Sequence, residues 1–306
     1  MPQPLSRPDL PSILTSPPPI DPDRLARAIA WADARYHACD VCAANCGVDR
    51  HAGPAGVCGL GAGARVYKEY VHFGEEACLI PSHTVFMSGC NFRCVFCSDD
   101  DQVRKPLAHG VEVPPKALAK RIAQRRAEGA TNVNFVGGVP DVNMLFILRT
   151  LAHCPPDTHV VWNTNLWTTP TAIEHLDGVV GTWLADLKFG NDRCGRKLAQ
   201  VEGYWDRLTA LMTLLPPGRL LIRHLLMPGH LDCCTAPVLE WLERTLPETP
   251  INLMTGYHPY RLAGSRGPMG QPLPPSELKR ALDLFDRRSL KTKLLDGREY
   301  PPQRSP

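Results

Sequence analysis

The sequence predicts an α/β fold, a parallel sheet built from six β/α steps and laid out as an open sheet or a partial barrel, behind a cysteine-rich N-terminal extension. Short apolar runs alternate with helical stretches from about residue 80 onward, the pattern of strands joined by helical crossovers. Residues 39–63 carry four cysteines in a glycine-rich text with no period of 2 or 3.6, so ligation rather than a core must order them. At 43% hydrophobic and 21% charged, the 306 residues can bury a sizeable core, and general disorder is excluded.

Residues 1–20 are a proline-rich leader, an arm on the body or a mobile tail. Residues 21–78 form a second unit, a helix and the cysteine-rich segment, and 79–306 the sheet domain. In 21–38 Leu25, Ile29 and Trp31 recur at helical spacing, with Asp21 or Asp23 placed to cap. A short hairpin is expected within ARVYKEYVHFGEEACLI, residues 64–80. Strands follow at 82–89, 131–138, 159–165, 181–189, 219–227 and 250–257. Helices fall near 115–128, 141–152, 170–177, 201–215, 234–246 and 275–288, and the Gly/Pro-rich stretch 264–275 reads as a linker in preference to a mobile loop at the site. In either layout a ligand site forms at the C-terminal ends of the strands.

With 34 Lys+Arg against 31 Asp+Glu the net charge is only +3, too small to recruit nucleic acid or an anionic membrane. The N-terminus lacks a charged region followed by an apolar run, and no stretch of 18 apolar residues occurs, so the expected location is cytoplasmic. Twelve cysteines in a reducing compartment then favour metal over disulfides.

SGCNFRCVFCSDD, directly after the first of the six strands, places Cys90, Cys94 and Cys97 in a C-x3-C-x2-C spacing. Three thiolates on one tight loop can hold three irons of a [4Fe-4S] cubane and leave the fourth with open coordination. The alternatives are a zinc knuckle with a ligand from elsewhere, or three buried thiols. The front cysteines Cys39, Cys42, Cys46 and Cys58, spaced C-x2-C-x3-C-x11-C, are a complete four-ligand set. They suit a second iron-sulfur cluster, a structural zinc, or no metal at all. Of the other five, Cys78, Cys154, Cys233 and Cys234 read as small core hydrophobes. Cys194 is read in the loop after the Asp186 strand, where a thiol could give hydrogen to a substrate radical or have no role.

Cys90, Cys94, Phe96 and Cys97 together match C-x3-C-x-aromatic-C, and in this the sequence resembles the radical S-adenosylmethionine (SAM) superfamily. The resemblance extends over roughly residues 39–260 to the branch similar to pyruvate formate-lyase activating enzyme. It rests on the Cys39–Cys42, Cys46–Arg50 and Gly56–Gly59 segments, NFVGG, Asp186-Leu187-Lys188, Arg223-His224 with Pro228-Gly229, and Tyr257-His258-Pro259. It implies a partial (β/α)6 barrel, SAM chelated to the open iron, and one-electron cleavage to a 5'-deoxyadenosyl radical that abstracts hydrogen. An electron donor such as flavodoxin or ferredoxin, and a protein or peptide substrate, are its implied partners.

The resemblance also implies cofactor contacts for Phe96, Gly137, Gly138, Asn163, Asp186, Lys188, Arg223 and His258. Asp186 and Lys188 share one side of a strand end, to hold the cofactor carboxylate or to form an ion pair. Arg223 binds a carboxylate or neutralises Asp186; His258 contacts the adenosyl group or is a core histidine; one of Asn163, Thr164 and Asn165 points at the ribose. One position departs from the pattern: a Gly-Gly-Glu-Pro step is usual, but here it is Gly137-Gly138-Val139-Pro140, and valine cannot accept a hydrogen bond from the methionyl ammonium. Asp141 or Asn163 could substitute. Val139 also keeps a rival open, a noncatalytic iron-sulfur carrier or metal-stabilised interaction protein that retains the barrel.

Overall fold

A computed structural model describes residues 13–265 and 267–301; the first twelve residues of the proline-rich leader lie outside this range. The elements run α1 (Pro22–Arg35), β1 (Arg65–His72), β2 (Ser82–Met87), α2 (Asp100–Arg104), β3 (Val111–Glu112), α3 (Pro115–Ala127), β4 (Asn132–Gly137), α4 (Met144–Leu151), β5 (Val160–Thr164) and α5 (Pro170–Leu176). They continue with β6 (Thr182–Asp186), α6 (Asp192–Ala199), α7 (Tyr204–Met212), β7 (Leu220–Leu225), α8 (Ala236–Thr245), β8 (Ile251–Met254), α9 (Pro275–Asp286), β9 (Lys293–Leu295) and β10 (Arg298–Glu299).

All ten strands form one sheet in the order β10-β9-β8-β7-β6-β5-β4-β2-β1-β3. From β2 through β4, β5, β6, β7 and β8 to β9 every neighbour is parallel, while β1, β3 and β10 pair antiparallel. The six expected β/α steps are present, with β9 a further parallel strand that the sequence reading left unassigned. Continuous apolar runs such as VVWNT survive because both faces are covered, and every β5 residue is buried. Asp21 is the cap of α1, its carboxylate accepting from the Asp23 and Arg24 amides at 2.9 and 3.1 Å.

Local differences have local causes. The hairpin expected at 64–80 is wider: β1 pairs with β2, and residues 73–81 are its loop. Residues 192–199, read as a loop, form α6, because Asn191 accepts from the Cys194 amide at 2.9 Å and caps a polar, Gly195-containing helix. The described part of 264–275 is more than a linker: Met269 is buried and its carbonyl accepts from Tyr257 Oη at 2.7 Å. Leader residues 13–20 lie on the body, through Thr15 N–H to the Gly218 carbonyl at 2.8 Å and Ile20 N–H to that of Pro156 at 2.7 Å. Helix α1 shares the main core with the sheet helices. Among the described residues no helix is long and apolar enough to cross a membrane.

Inside the sheet's curve the filling is layered. Leu79, Val161, Leu184, Leu221 and Leu294 make an apolar floor. The next residue inward on β7, Arg223, points into a polar layer supplied by the 73–81 loop. Its guanidinium forks onto Glu76 at 2.7 Å through both Nε and Nη2, and Nη2 also meets Glu75. Asn252 donates to Glu76 at 2.8 Å and Asn134 to Glu75 at 3.0 Å. Burial alone would push the Glu76 carboxyl up, but Arg223 and Asn252 outweigh it and hold it below the usual range.

Removing one partner of a buried pair strands the other's charge. Glu76→Gln should therefore cost about 3 kcal/mol in urea unfolding, with Glu75 still facing the guanidinium. Because the native carboxyl titrates lower than the unfolded one, this contribution is complete above the ordinary carboxylate range and disappears as pH falls through the native value. The variant should accordingly show a flatter stability profile at acidic pH; equal acid sensitivity in both proteins would contradict the role given to Glu76.

Candidate functional site

The loop after β2 is tied on several sides. From β4, Gly138 N–H donates to the Met87 carbonyl and Val139 N–H to that of Gly89 at 3.1 Å. From the loop, Arg93 and Val95 N–H groups donate to the carbonyls of Ala199 and Leu198, at the end of α6, at 2.9 and 2.8 Å. Asn91 donates to the Trp167 carbonyl at 3.0 Å and accepts from Asn165 at 2.8 Å. Arg261 spans the Cys94 carbonyl at 3.3 Å and the Asp100 carboxylate at 2.5 Å.

Burial pushes the Cys90 thiol up to about 12 and moves Cys94 and Cys97 the same way. The Lys188 ammonium opposes this at all three. Thiols this reluctant to ionise become thiolates when a cation replaces the proton, the condition under which they bind iron. They do not crowd around a single ion: among the described residues, the only His/Cys/Asp/Glu group whose ligand atoms all lie within 4.8 Å of one another is elsewhere. A wider triad fits three corners of a cluster, and the residues present therefore fit an open cubane.

The other expected positions separate into three groups. Asp186 and Lys188 form an ion pair at the C-terminal end of β6 and lie about one-fifth exposed. Phe96 packs at 6.2 Å, centroid to centroid, from both Phe189 and Tyr257, the residues next to Lys188 and His258. Asn163 is buried with Nδ2 lacking a hydrogen-bond partner, and Asn165, one strand period further, is the residue of that triplet that reaches Cys90 Sγ, at 3.8 Å. His258 is exposed against Tyr260, so the core-histidine alternative is removed. Arg223 sits beside Asp186 in the β6–β7 register, but its bonds go to Glu75 and Glu76.

The glycines are demanded by the close approach of backbone. Gly137 has φ +103° and a Cβ there would lie 2.6 Å from the Met87 amide nitrogen; at Gly138 a Cβ would overlap the Gly89 carbonyl. Cys194 also departs from expectation, since it is buried in the first turn of α6 instead of lying in an open loop.

The front segment seats beside this loop. Cys39, Cys42 and Cys58 are buried and Cys46 is half-buried, with the Val57 amide donating to its sulfur at 3.4 Å. Arg50, itself buried, stacks 4.1 Å over Tyr36 and donates to the Leu60 and Gly61 carbonyls at 3.1 and 2.7 Å, so this stretch has an organising residue besides its thiols. Val139 is buried in one apolar cluster with Cys42, Cys58, Leu60 and Val142, against which Cys90 packs. Asp141 is already engaged: Thr164 and, at 3.4 Å, Trp162 donate to it, while burial raises its pKa. Of the two proposed substitutes for the missing glutamate, Asp141 is thus committed elsewhere, and the unpartnered atom of Asn163 is Nδ2, a donor that cannot replace a carboxylate acceptor.

Sequence reasoning missed Glu75, Glu76 and Arg261. Two acids in a loop read as a solvated face, and nothing local marks Arg261 as the residue that returns to Cys94. The contact between Gly138 and Gly89 yields a sharp test: Gly138→Ala must displace the Cys90 loop, and should bind much less iron than the parent after identical anaerobic reconstitution, with far-UV circular dichroism preserved. Equal iron content would show that the loop does not need this contact.

The family model described as the radical SAM superfamily matches residues 84–242, just over half of the chain. The chain is 36% identical over 276 residues to Uncharacterized protein MJ0674 of Methanocaldococcus jannaschii, covering 89% of this chain and 81% of that protein. Among solved structures it is similar to Streptococcus suis SuiB bound to precursor peptide SuiA, with TM-score 0.46, 14% identity and coverage of 67% of this chain and 46% of that one. A domain of pyruvate-formate lyase-activating enzyme from Bacteroides vulgatus aligns with TM-score 0.42, 20% identity and coverage of 54% and 98%. The chain spans about half the length of the SuiB chain it matches. With the family match running from the first parallel strand through α8 and the three cysteines inside it, the chain belongs to the radical SAM superfamily of enzymes.

Proposed function

We propose that the protein cleaves SAM reductively and abstracts hydrogen from a protein or peptide, in the manner of an activating enzyme or a peptide-modifying maturase. The observation that carries this reading is the fixed triad Cys90, Cys94 and Cys97 with the Lys188–Asp186 pair acting on it. When bound, a [4Fe-4S] cluster would supply one electron to the SAM sulfonium, breaking its C–S bond to give methionine and a 5'-deoxyadenosyl radical that takes hydrogen from the substrate. The three thiolates would hold three irons and leave the fourth open. Lys188 offers an ammonium to the methionyl carboxylate, Asp186 keeps that ammonium in place, and Asn163 can meet the methionyl ammonium only through its acceptor, Oδ1. Phe96, with Phe189 and Tyr257, walls the site in apolar surface and keeps water from a radical. His258, exposed and packed against Tyr260, is the proposed contact of the adenosyl group. Arg223, neutralised by two carboxylates, supports the polar layer beneath. Flavodoxin or ferredoxin fits as electron donor.

The front cysteines are proposed to hold a second iron-sulfur cluster: no three of their sulfurs lie within 4.8 Å of one another, too spread for one zinc ion. Their apolar cluster includes Val139 and touches Cys90, so a glutamate at 139 would bury its carboxylate among thiols. That is a physical reason for the valine, and it favours a rearranged cofactor site over a lost one.

The decisive measurement is 5'-deoxyadenosine formation by the anaerobically reconstituted protein with dithionite and SAM. Product is expected from the parent, and the Cys90→Ala/Cys94→Ala/Cys97→Ala protein should make none and hold about four fewer irons. A reducible parent cluster that yields no product, with a spectrum indifferent to SAM, would instead establish the noncatalytic carrier. Val139→Glu should lose metal at the front set before it loses any at the Cys90 loop; the reverse order would remove the explanation given for Val139.

A further inference from the structure

Cys194, His230, Cys233 and Cys234 are the group whose ligand atoms all lie within 4.8 Å of one another. Nothing in the SAM chemistry uses them. Cys194 comes from the first turn of α6; His230 and the two adjacent cysteines come from the connection after β7, where residues Leu231–Thr235 form a single π-helical turn. Single π turns are rare and frequently mark functional sites.

The separations resemble the edges of a metal's coordination sphere. Cys194 Sγ and Cys233 Sγ are 3.8 Å apart, and Cys233 Sγ and Cys234 Sγ 3.9 Å. His230 Nδ1 lies 3.7, 3.3 and 3.6 Å from the sulfurs of Cys194, Cys233 and Cys234. For a tetrahedral zinc with Zn–S about 2.3 Å and Zn–N about 2.05 Å, the edges are about 3.8 Å between sulfurs and about 3.5 Å from sulfur to nitrogen. Five edges thus agree with the tetrahedron to about 0.3 Å, and the sixth falls inside the 4.8 Å limit. A cubane is a poor fit, since each of its cysteines binds a different iron and the donors must spread further apart.

The surroundings hold these donors in place. Asn191 accepts from the Cys194 amide at 2.9 Å and donates from Nδ2 to the Cys233 carbonyl at 2.6 Å, bridging the two segments that supply the ligands. A Cβ on Gly190 would lie 2.7 Å from the Cys234 carbonyl oxygen, so the segments approach as closely as backbone permits. His224 bonds the Leu187 carbonyl at 2.6 Å and Thr235 Oγ1 at 2.9 Å, and pins the end of the π turn to the strand exit that carries Lys188.

We propose that Cys194, His230 Nδ1, Cys233 and Cys234 bind one zinc ion in a closed structural site, separate from both the Cys90 triad and the front cysteines. Closed three-sulfur, one-nitrogen coordination leaves no open position, so the site has a structural role. It clamps α6, whose last carbonyls receive the Arg93 and Val95 amides, to the connection after β7. Zinc here steadies the helix from which the catalytic cysteine loop hangs. Cys194 then serves as a ligand and not as a hydrogen donor.

The test counts metal in full-length protein purified anaerobically and washed with EDTA. Cys194→Ala/Cys233→Ala/Cys234→Ala should hold one zinc ion fewer per chain than the parent, while any zinc at Cys39, Cys42, Cys46 and Cys58 remains in both and cancels in the difference. An unchanged zinc count overturns the proposal. Should that protein fail to fold, His230→Ala keeps all three thiolates and is compared with the parent for zinc transfer to the chelator 4-(2-pyridylazo)resorcinol. Transfer of one equivalent at least about tenfold faster is expected, and transfer at the parental rate overturns the assignment.

Discussion

Everything near the cysteine loop depends on a backbone contact too close for any side chain. The Gly138 amide donates to the Met87 carbonyl, the Val139 amide to that of Gly89, and the space between the two strand ends is filled by main chain alone. This fixes where Cys90 begins. Leu60 of the front segment closes over Gly89, where a Cβ would also be refused, and Val139 closes over Cys42 and Cys58. The positions of two cysteine sets thus follow from one pair of glycines. The glycine pair is in three dimensions the joint between the Cys90 loop and the front cysteine segment.

The sheet's interior changes character along the strands. At the N-terminal end it is closed by leucine and valine; above that, Arg223 brings a charge that only the Glu75–Glu76 loop can neutralise. That loop belongs to the long connection between β1 and β2, so the antiparallel edge of the sheet plugs its own parallel centre. The Arg223 charge is thereby neutralised beneath the site, at which Lys188, Asp186, Arg93, Asp99 and Asp100 act on the cysteine loop.

Much of this was legible in the sequence, for physical reasons that differ by element. The parallel strands announce themselves because burial on both faces demands unbroken apolar runs, and the Cys90 triad because its ligands share one short loop. Asp21 and the start of α1 follow from capping chemistry. What escaped is whatever depends on distant residues. Glu75 and Glu76 look solvated until Arg223 arrives from far along the chain, and α6 looks like a turn because Asn191, Asp192 and Gly195 are poor helix residues whose cost is offset by a cap and by backbone bonds at the far end. Cys194 lay in a segment with no pattern of its own, and the Cys233–Cys234 pair reads as core until folding sets His230 beside it. The side chain of Val139 could be named as a departure, but its neighbours could not.

The sheet ends at each edge in a two-residue antiparallel strand, β3 on one side and β10 on the other. At the β10 margin Arg298 and Glu299 put charge where an incoming strand would lie. At the other margin β3 pairs with β1 only at Arg65 and Val66, so most of the outer edge of the eight-residue β1 has no ladder partner among the described strands. Pairing with a further strand is thus confined to the β1 side. A polypeptide substrate of the kind proposed would meet the Cys90 loop from the C-terminal ends of the parallel strands, a different face from either sheet margin.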